Sequence, residues 1–173
     1  FSNKITVIDS ITFDLITTID VDNGPIDIAI NTITDKIYVV NNLSRTINII
    51  DGNSNLVIDT FNIEGFPTGI ELNNTTNSIY VIDNSNGIVR IIDGSTNTLN
   101  SFIEFLDLKD VGVNSVTNRI YVSHSPLSEV IVVPSEEIKS LRMNIATVSV
   151  LSPNGLPLQG RQINALAKGR GTI

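Results

Sequence analysis

The side chains of this 173-residue chain that could do chemistry are few. Its single histidine, His124, lies in S-H-S between Ser123 and Ser125, the composition of a nucleophile beside its base. Neighbouring residues of a strand point to opposite faces, so neither hydroxyl is placed to share a proton with the imidazole, and His124 reads as a solvent-facing loop residue. Two turns, D-G-N-S-N over 51–55 and D-N-S-N-G over 83–87, carry oxygen ligands at alternate positions, as calcium loops do. Both lack the bidentate Glu that closes such a loop, and Asp, Asn, Ser and Gly are what a hairpin turn itself requires, so turn chemistry is the better account. Glu136 and Glu137 are adjacent, whereas acid–base carboxylates face each other across a cleft; they read as a solvated linker. Arg161, Lys168 and Arg170 are spread along the chain and read as a strand edge rather than an anion patch. With no cysteine there is no thiolate nucleophile, disulfide or Cys-type metal site. The G-R-G near the end lacks the strand–loop–helix setting of a phosphate loop. No catalytic residue, metal site or cofactor is assigned from these residues, and the binding residues stay open.

Whatever site exists must be positioned by a β framework. The chain holds 28 isoleucines and 21 asparagines with only 17% charged residues, an imbalance that favours branched strands separated by turns over helices. Its 41% apolar content excludes a disordered chain. No run approaches the about 18 apolar residues of a membrane-crossing helix. A net charge of -7 with 5% aromatics argues against a nucleic-acid surface. The first residue is Phe1, and no basic stretch followed by an apolar run precedes the first strand, so no signal peptide is in view. Sequons at Asn42, Asn73 and Asn74 would suit a glycosylated surface protein, and in so Asn-rich a chain they also arise by chance.

Laid against itself, the chain repeats. Tyr38, Tyr80 and Tyr121 each open a Y-V pair after Ile37, Ile79 and Ile120, at steps of 42 and 41. Asp9, Asp51 and Asp93 follow apolar runs at the same step, and Ile28, Ile70 and Val111 form another column. Asn31, Asn73 and Asn114, then Asp35, Asn77 and Asn118, mark a recurring turn. Each copy holds four short runs, over 26–30, 36–40, 46–50 and 56–63 in the first complete copy, bounded by N-N, D-G or G-P. The Asp51–Gly52 and Asp93–Gly94 pairs are expected to supply the positive φ that tight hairpins favour. One copy thus reads as a four-stranded antiparallel meander. Runs such as I-Y-V-V place apolar side chains on both faces, so both faces of each sheet should be covered, as in a stack of propeller blades.

The ordered columns also carry a family resemblance. P-x-x-I-x-(I/L)-N-x-x-T-(D/N)-x-I-Y-V followed by (I/V)-x-I-I-D-G-x-(S/T)-N occurs over 25–55 and again over 67–97. This pattern resembles the YVTN-type β-propeller repeat of surface-layer and other secreted bacterial and archaeal proteins, over roughly residues 1–135. The last copy departs from it, with Leu108 in the Pro column and Pro134 in the Asp column. The resemblance implies a ring of around seven blades, whereas this chain encodes about three and a half, so it is expected to be part of a longer chain or to be completed by another copy.

After Met143 the repeat stops. Alternation at Val148 and Val150, a Pro153–Asn154–Gly155 turn and alternation at Ile163, Ala165 and Ala167 resemble the opening of an invasin-type Ig-like domain. The expected organisation is therefore all-β, with propeller blades over 1–143 and the beginning of an Ig-like β-domain over 144–173. Together the two resemblances imply a secreted or cell-surface, non-enzymatic scaffold or adhesion protein. Its blade loops would contact other copies of itself, other surface proteins or glycans, and not nucleic acid. The alternatives are the propeller portion of a periplasmic redox or lyase enzyme, for which Asp27 and Glu71 are the acidic residues inside the inner runs, and a filament subunit completed by strand exchange.

Overall fold

Branched aliphatic runs become strands and the Asx-rich punctuation becomes turns. The computed structural model describes residues 2–105, 108–124, 129–134 and 150–151, all in strands, turns and short connections. In chain order the strands are β1 (Lys4–Ile8), β2 (Leu15–Asp20), β3 (Pro25–Asn31), β4 (Lys36–Asn41), β5 (Thr46–Asp51), β6 (Leu56–Asn62) and β7 (Gly69–Asn73). They continue as β8 (Ser78–Asp83), β9 (Ile88–Asp93), β10 (Thr98–Glu104), β11 (Leu108–Asn114), β12 (Arg119–His124), β13 (Glu129–Pro134) and β14 (Val150–Leu151). The sheets are a two-stranded β1–β2 and three four-stranded meanders, β3-β4-β5-β6, β7-β8-β9-β10 and β11-β12-β13-β14. The fold is all-β, with antiparallel four-stranded sheets of propeller-blade type, two from the complete copies of the repeat and a third from the degenerate copy, completed by β14.

The chain divides into two compact units, Phe1–Ile70 and Glu71–Ile173. In the first, Ile19 of β2 packs with Val39 and Ile50 of the neighbouring sheet, joined by Ile5, Val7 and Ile37. In the second, Tyr80, Ile82, Val89 and Ile91 form one core with Val111, Ile120, Val122, Ile131 and Val133. The two middle strands of a meander are buried on both faces, as β4, β5, β8 and β9 show, whereas the last strands β6 and β10 are largely exposed. Each such buried branched side chain contributes about 1.5–3 kcal/mol, which is why both faces of I-Y-V-V and I-N-I-I are apolar.

The turns depart from expectation in one respect. Gly52 and Gly94 are not the positive-φ residues: those are Asn55 (φ 57°) and Asn97 (φ 55°), each closing its turn, with Asp35, Asn77 and Asn118 doing the same in the turns between the first two strands. The glycines serve close approach instead. Gly52 donates its N–H to the Asp35 carbonyl and Gly94 to the Asn77 carbonyl, both at 2.8 Å, and a Cβ on either would run into that neighbouring residue.

Of the segment 144–173, the structure describes β14 alone. Val150 pairs with Ile131 and Leu151 with Val130, so these two residues form the fourth strand of the third sheet. The rest of the Ig-like assignment lies outside the described residues.

Candidate binding surface

Asp9, Asp27, Asp51 and Asp93 are engaged with backbone N–H groups. Asp27 follows a bulge in β3; its Oδ1 accepts the Ile28 N–H and its Oδ2 the Ile70 N–H, both at 2.9 Å. Glu71 is half-buried in β7 and belongs to the other unit. Asp9 Oδ1 accepts the N–H groups of Ile11 and Thr12 at 2.8 Å, and Asp51 Oδ1 accepts both the N–H and the hydroxyl of Ser54 at 2.8 Å. Asp93 likewise accepts from Ser95. These bonds stabilise the charged form: the N–H groups of Thr12 and Ile11 lower the Asp9 pKa, and the Ser54 hydroxyl and N–H lower that of Asp51. Of the second candidate calcium turn, Asp83 is fully buried and accepts from the Ser85 hydroxyl, the Asn86 amides and, at 3.4 Å, Arg90. Among the described residues, no group of three or more His, Asp or Glu side chains gathers to hold a metal ion.

Ser123 donates to the Asp110 carbonyl at 3.3 Å, and His124 lies in β12 opposite Glu129. Ser125, Glu136, Glu137, Arg161, Lys168 and Arg170 lie outside the described residues. Two of the sequon asparagines are tied into the fold by their side chains, while the Asn74 Oδ1 is buried without a partner. Asn73 is buried and caps the N–H groups of Thr75 and Thr76, while Asn42 donates its amide to the Pro67 carbonyl at 2.8 Å.

The structure gathers a different set of residues at one end of the first unit. The Asn42 N–H donates to the Gly24 carbonyl, and the Ser44 N–H and hydroxyl donate to the Asn23 carbonyl, which ties the β4–β5 turn to the connection before β3. The Ile63 N–H donates to the Arg45 carbonyl at 2.8 Å, and the Arg45 guanidinium lies 4.0 Å from the centre of the Phe66 ring, which ties in the connection after β6. Beneath these loops runs a polar column. Asp22 accepts from the Thr46 hydroxyl at 2.6 Å, Asn48 Oδ1 accepts from the Asp22 N–H and the Asn41 amide, and the Asn48 amide donates to Thr60. The Asn41 amide nitrogen, Thr46 and Asn48 are held in one geometry by these bonds, because each lost bond would strand a buried partner, while the buried Asn41 Oδ1 itself has none. Above the column, Leu43, Arg45 and Phe66 are exposed. A cation stacked on an aromatic ring with Asp22 and Glu64 on neighbouring loops offers donors, an apolar plane and acceptors together.

No motif in the sequence carries Arg45 or Phe66. A signal was nonetheless present: Arg45 sits at φ 58° where the next copy of the repeat has Gly87 at φ 64°. A long side chain held in the left-handed region costs about 1–2 kcal/mol relative to glycine, so its presence there asks for a compensating role.

No protein-family model matches the chain, and no curated protein matches it. Among solved structures, the chain is similar to hydrazine synthase of Kuenenia stuttgartiensis, with TM-score 0.57 and 14% identity, over 87% of this chain and 60% of that one. It is also similar to apo AztD from Citrobacter koseri, with TM-score 0.51 and 16% identity, over 58% of this chain and 29% of that one. Both are propeller-type proteins. The fold is of β-propeller type. The chain spans less than two thirds of either relative, and at these identities the likeness extends to the fold and no further.

Proposed function

We propose that this chain is a non-enzymatic scaffold or adhesion module of a secreted or cell-surface protein, of the YVTN-type repeat family, followed by an Ig-like domain. In this reading the loops at the end of the first unit contact a protein or glycan ligand. The observation that carries it is the Arg45–Phe66 stack, exposed on loops that a buried polar column holds rigid. Phe66 offers a face for sugar C–H groups or an apolar side chain, and Arg45 offers donors to hydroxyl or carboxylate oxygens. Engagement of Asp27, Asp9, Asp51 and Asp93 with backbone N–H groups agrees with a supporting role for the acidic residues. The test is a panel of glycans and purified surface proteins screened against the chain, with Phe66→Ala and Arg45→Gly compared. The reading expects a ligand whose affinity falls about tenfold with either substitution, as for a hot-spot aromatic or Arg. Ligands held equally by all three proteins would count against it.

A second reading is the propeller portion of a periplasmic redox or lyase enzyme; the fold shared with a hydrazine synthase is compatible with it without assigning it, and Asp27 and Glu71 are the acidic residues it would use. Elemental analysis and absorption spectroscopy of the purified protein separate the two, since a stoichiometric metal or chromophore lost on Asp27→Ala or Glu71→Ala would favour the enzyme.

A further inference from the structure

Four steps among the described residues join Asn or Asp to Gly: Asn23–Gly24, Asp51–Gly52, Asn86–Gly87 and Asp93–Gly94. Such a step carries its own reagents, because glycine has no side chain to shield its amide nitrogen, which lies within reach of the preceding Cγ. At three of the four the structure holds both reacting groups. Asp51 Oδ1 accepts from the Ser54 hydroxyl, and the Gly52 N–H donates to the Asp35 carbonyl, both at 2.8 Å. Asp93 Oδ1 accepts the Ser95 N–H, and the Gly94 N–H donates to the Asn77 carbonyl, again at 2.8 Å. Asn86 donates its side-chain amide to the buried Asp83 carboxylate at 2.8 Å, and the Gly87 N–H donates to the Asn84 carbonyl at 3.4 Å.

Asn23–Gly24 is held differently, through its carbonyls. The Asn23 carbonyl accepts the Ser44 N–H at 3.1 Å and the Ser44 hydroxyl at 2.8 Å, and the Gly24 carbonyl accepts the Asn42 N–H at 2.8 Å. The Asn23 side-chain amide has no hydrogen-bond partner among the described residues, and the Gly24 N–H makes only a 3.5 Å contact with Asn3 Oδ1, at the limit of a bond. Otherwise the two Asn–Gly steps match. Both asparagines are exposed, and both glycines are buried at positive φ, 77° and 64°. What separates them is the bonding of the groups that would react.

We propose that Asn23 is a self-modifying residue, which deamidates and isomerises without an enzyme and so releases the β4–β5 turn from the connection before β3. Hydroxide takes the Gly24 N–H proton and the nitrogen attacks Asn23 Cγ; the N–Cγ bond forms, Cγ–Nδ2 breaks, and ammonia leaves with a proton from water. Water then opens the cyclic imide. Cleavage of the new N–Cγ bond gives aspartate, and cleavage at the former Asn23 carbonyl carbon gives isoaspartate, whose main chain runs through Cβ and Cγ. In isoaspartate the oxygen that held Ser44 belongs to a free carboxylate, and the chain before Gly24 is one carbon longer. Either product sets a negative charge beside Asp22, whose carboxylate accepts the Thr46 hydroxyl. The inference stands whether or not the loop surface binds a ligand.

The test incubates the whole 173-residue chain at mildly alkaline pH and scores its Asn–Gly peptides over time for aspartate and isoaspartate by mass spectrometry. In the folded chain Asn23 is expected to convert about tenfold or more faster than Asn86, because Asn86 must first break a bond to a buried carboxylate. In urea the two rates should come together, since both are then Asn–Gly steps of an open chain. Hydrogen exchange at the Ser44 amide should quicken in the aged protein and stay slow in aged Asn23→Gln, whose amide is one carbon further from the Gly24 nitrogen. Conversion of Asn86 as fast as Asn23 in the folded chain, a ratio unchanged by urea, or an Asn23 that converts only in urea overturns the proposal. So does Ser44 exchange that stays slow after Asn23 has converted.

Discussion

An asparagine here is most often a turn device, and two roles are distinguishable. At the start of a turn its Oδ1 accepts N–H groups two and three residues on, as Asn31 does for Ile33 and Thr34 and Asn114 for Val116 and Thr117. At the end it takes the positive φ, as Asn55, Asn77, Asn97 and Asn118 do. Asn55→Ala and Asn97→Ala should therefore each lose about 1 kcal/mol in urea unfolding, whereas the glycine variants at these positions stay within a few tenths of the parent. Gly52→Ala and Gly94→Ala should cost about 1–3 kcal/mol for the different reason that a Cβ runs into the side-chain Oδ1 and the carbonyl oxygen of Asp35 or Asn77. Asp9 and Asp51 have folded pKa values below their ordinary 3.8, so their stabilisation is complete above that value and fades as pH falls through the folded values. Acid unfolding followed below about pH 4 should be shallower in Asp51→Asn than in the parent. The tyrosine column divides as well. Burial raises the pKa of both hydroxyls, but that of Tyr80 bonds Ser78 and Thr76 whereas that of Tyr38 has no partner, since Lys36 stands in the Ser78 column. Tyr38→Phe should be neutral or stabilising and Tyr80→Phe should cost about 1 kcal/mol, read from thermal or denaturant midpoints.

Between equivalent strands the repeat keeps the place of a polar pair and changes its charge. Asn41 of β4 bonds Asn48 of β5 at 2.7 Å; one repeat later Asp83 of β8 and Arg90 of β9 occupy these positions as an ion pair at 3.4 Å. Asp83 is wholly buried and Arg90 nearly so, which makes the pair costly to break on one side. Arg90→Asn alone should lose about 3 kcal/mol or more, because it leaves a buried carboxylate without its cation. Adding Asp83→Asn should recover most of that loss by recreating the neutral pair seen between β4 and β5. A double-mutant cycle by chemical denaturation checks this; simple additivity of the two losses would refute it.

At the scale of the molecule, burial sorts the strands by position in the meander more than by composition. Leu56, Val57 and Ile58 of β6 are as apolar as Ile47, Ile49 and Ile50 of β5, yet the former are exposed and the latter fully buried. Hydrogen exchange should accordingly be slowest in β4, β5, β8 and β9 and faster by orders of magnitude in β6 and β10. Comparable rates in β5 and β6 would contradict that ordering. The strand and turn framework was legible because its determinants are local: branched aliphatic runs, Asx at turn starts and the 42-residue columns that repeat them. Legibility ended where the deciding partner is far along the chain. Nothing near Arg45 in sequence announces Phe66, which meets it only through the pairing of β5 with β6 and the return of the chain after β6. Ile28 and Val111 hold the same column, and only packing made one exposed and the other buried. The sequence by itself determined the repeat, the four-stranded unit and the turn chemistry, because these follow from backbone preferences within a few residues. The tertiary structure alone decided which aliphatic faces are covered and which loop side chains meet, because both depend on through-space neighbours many residues away.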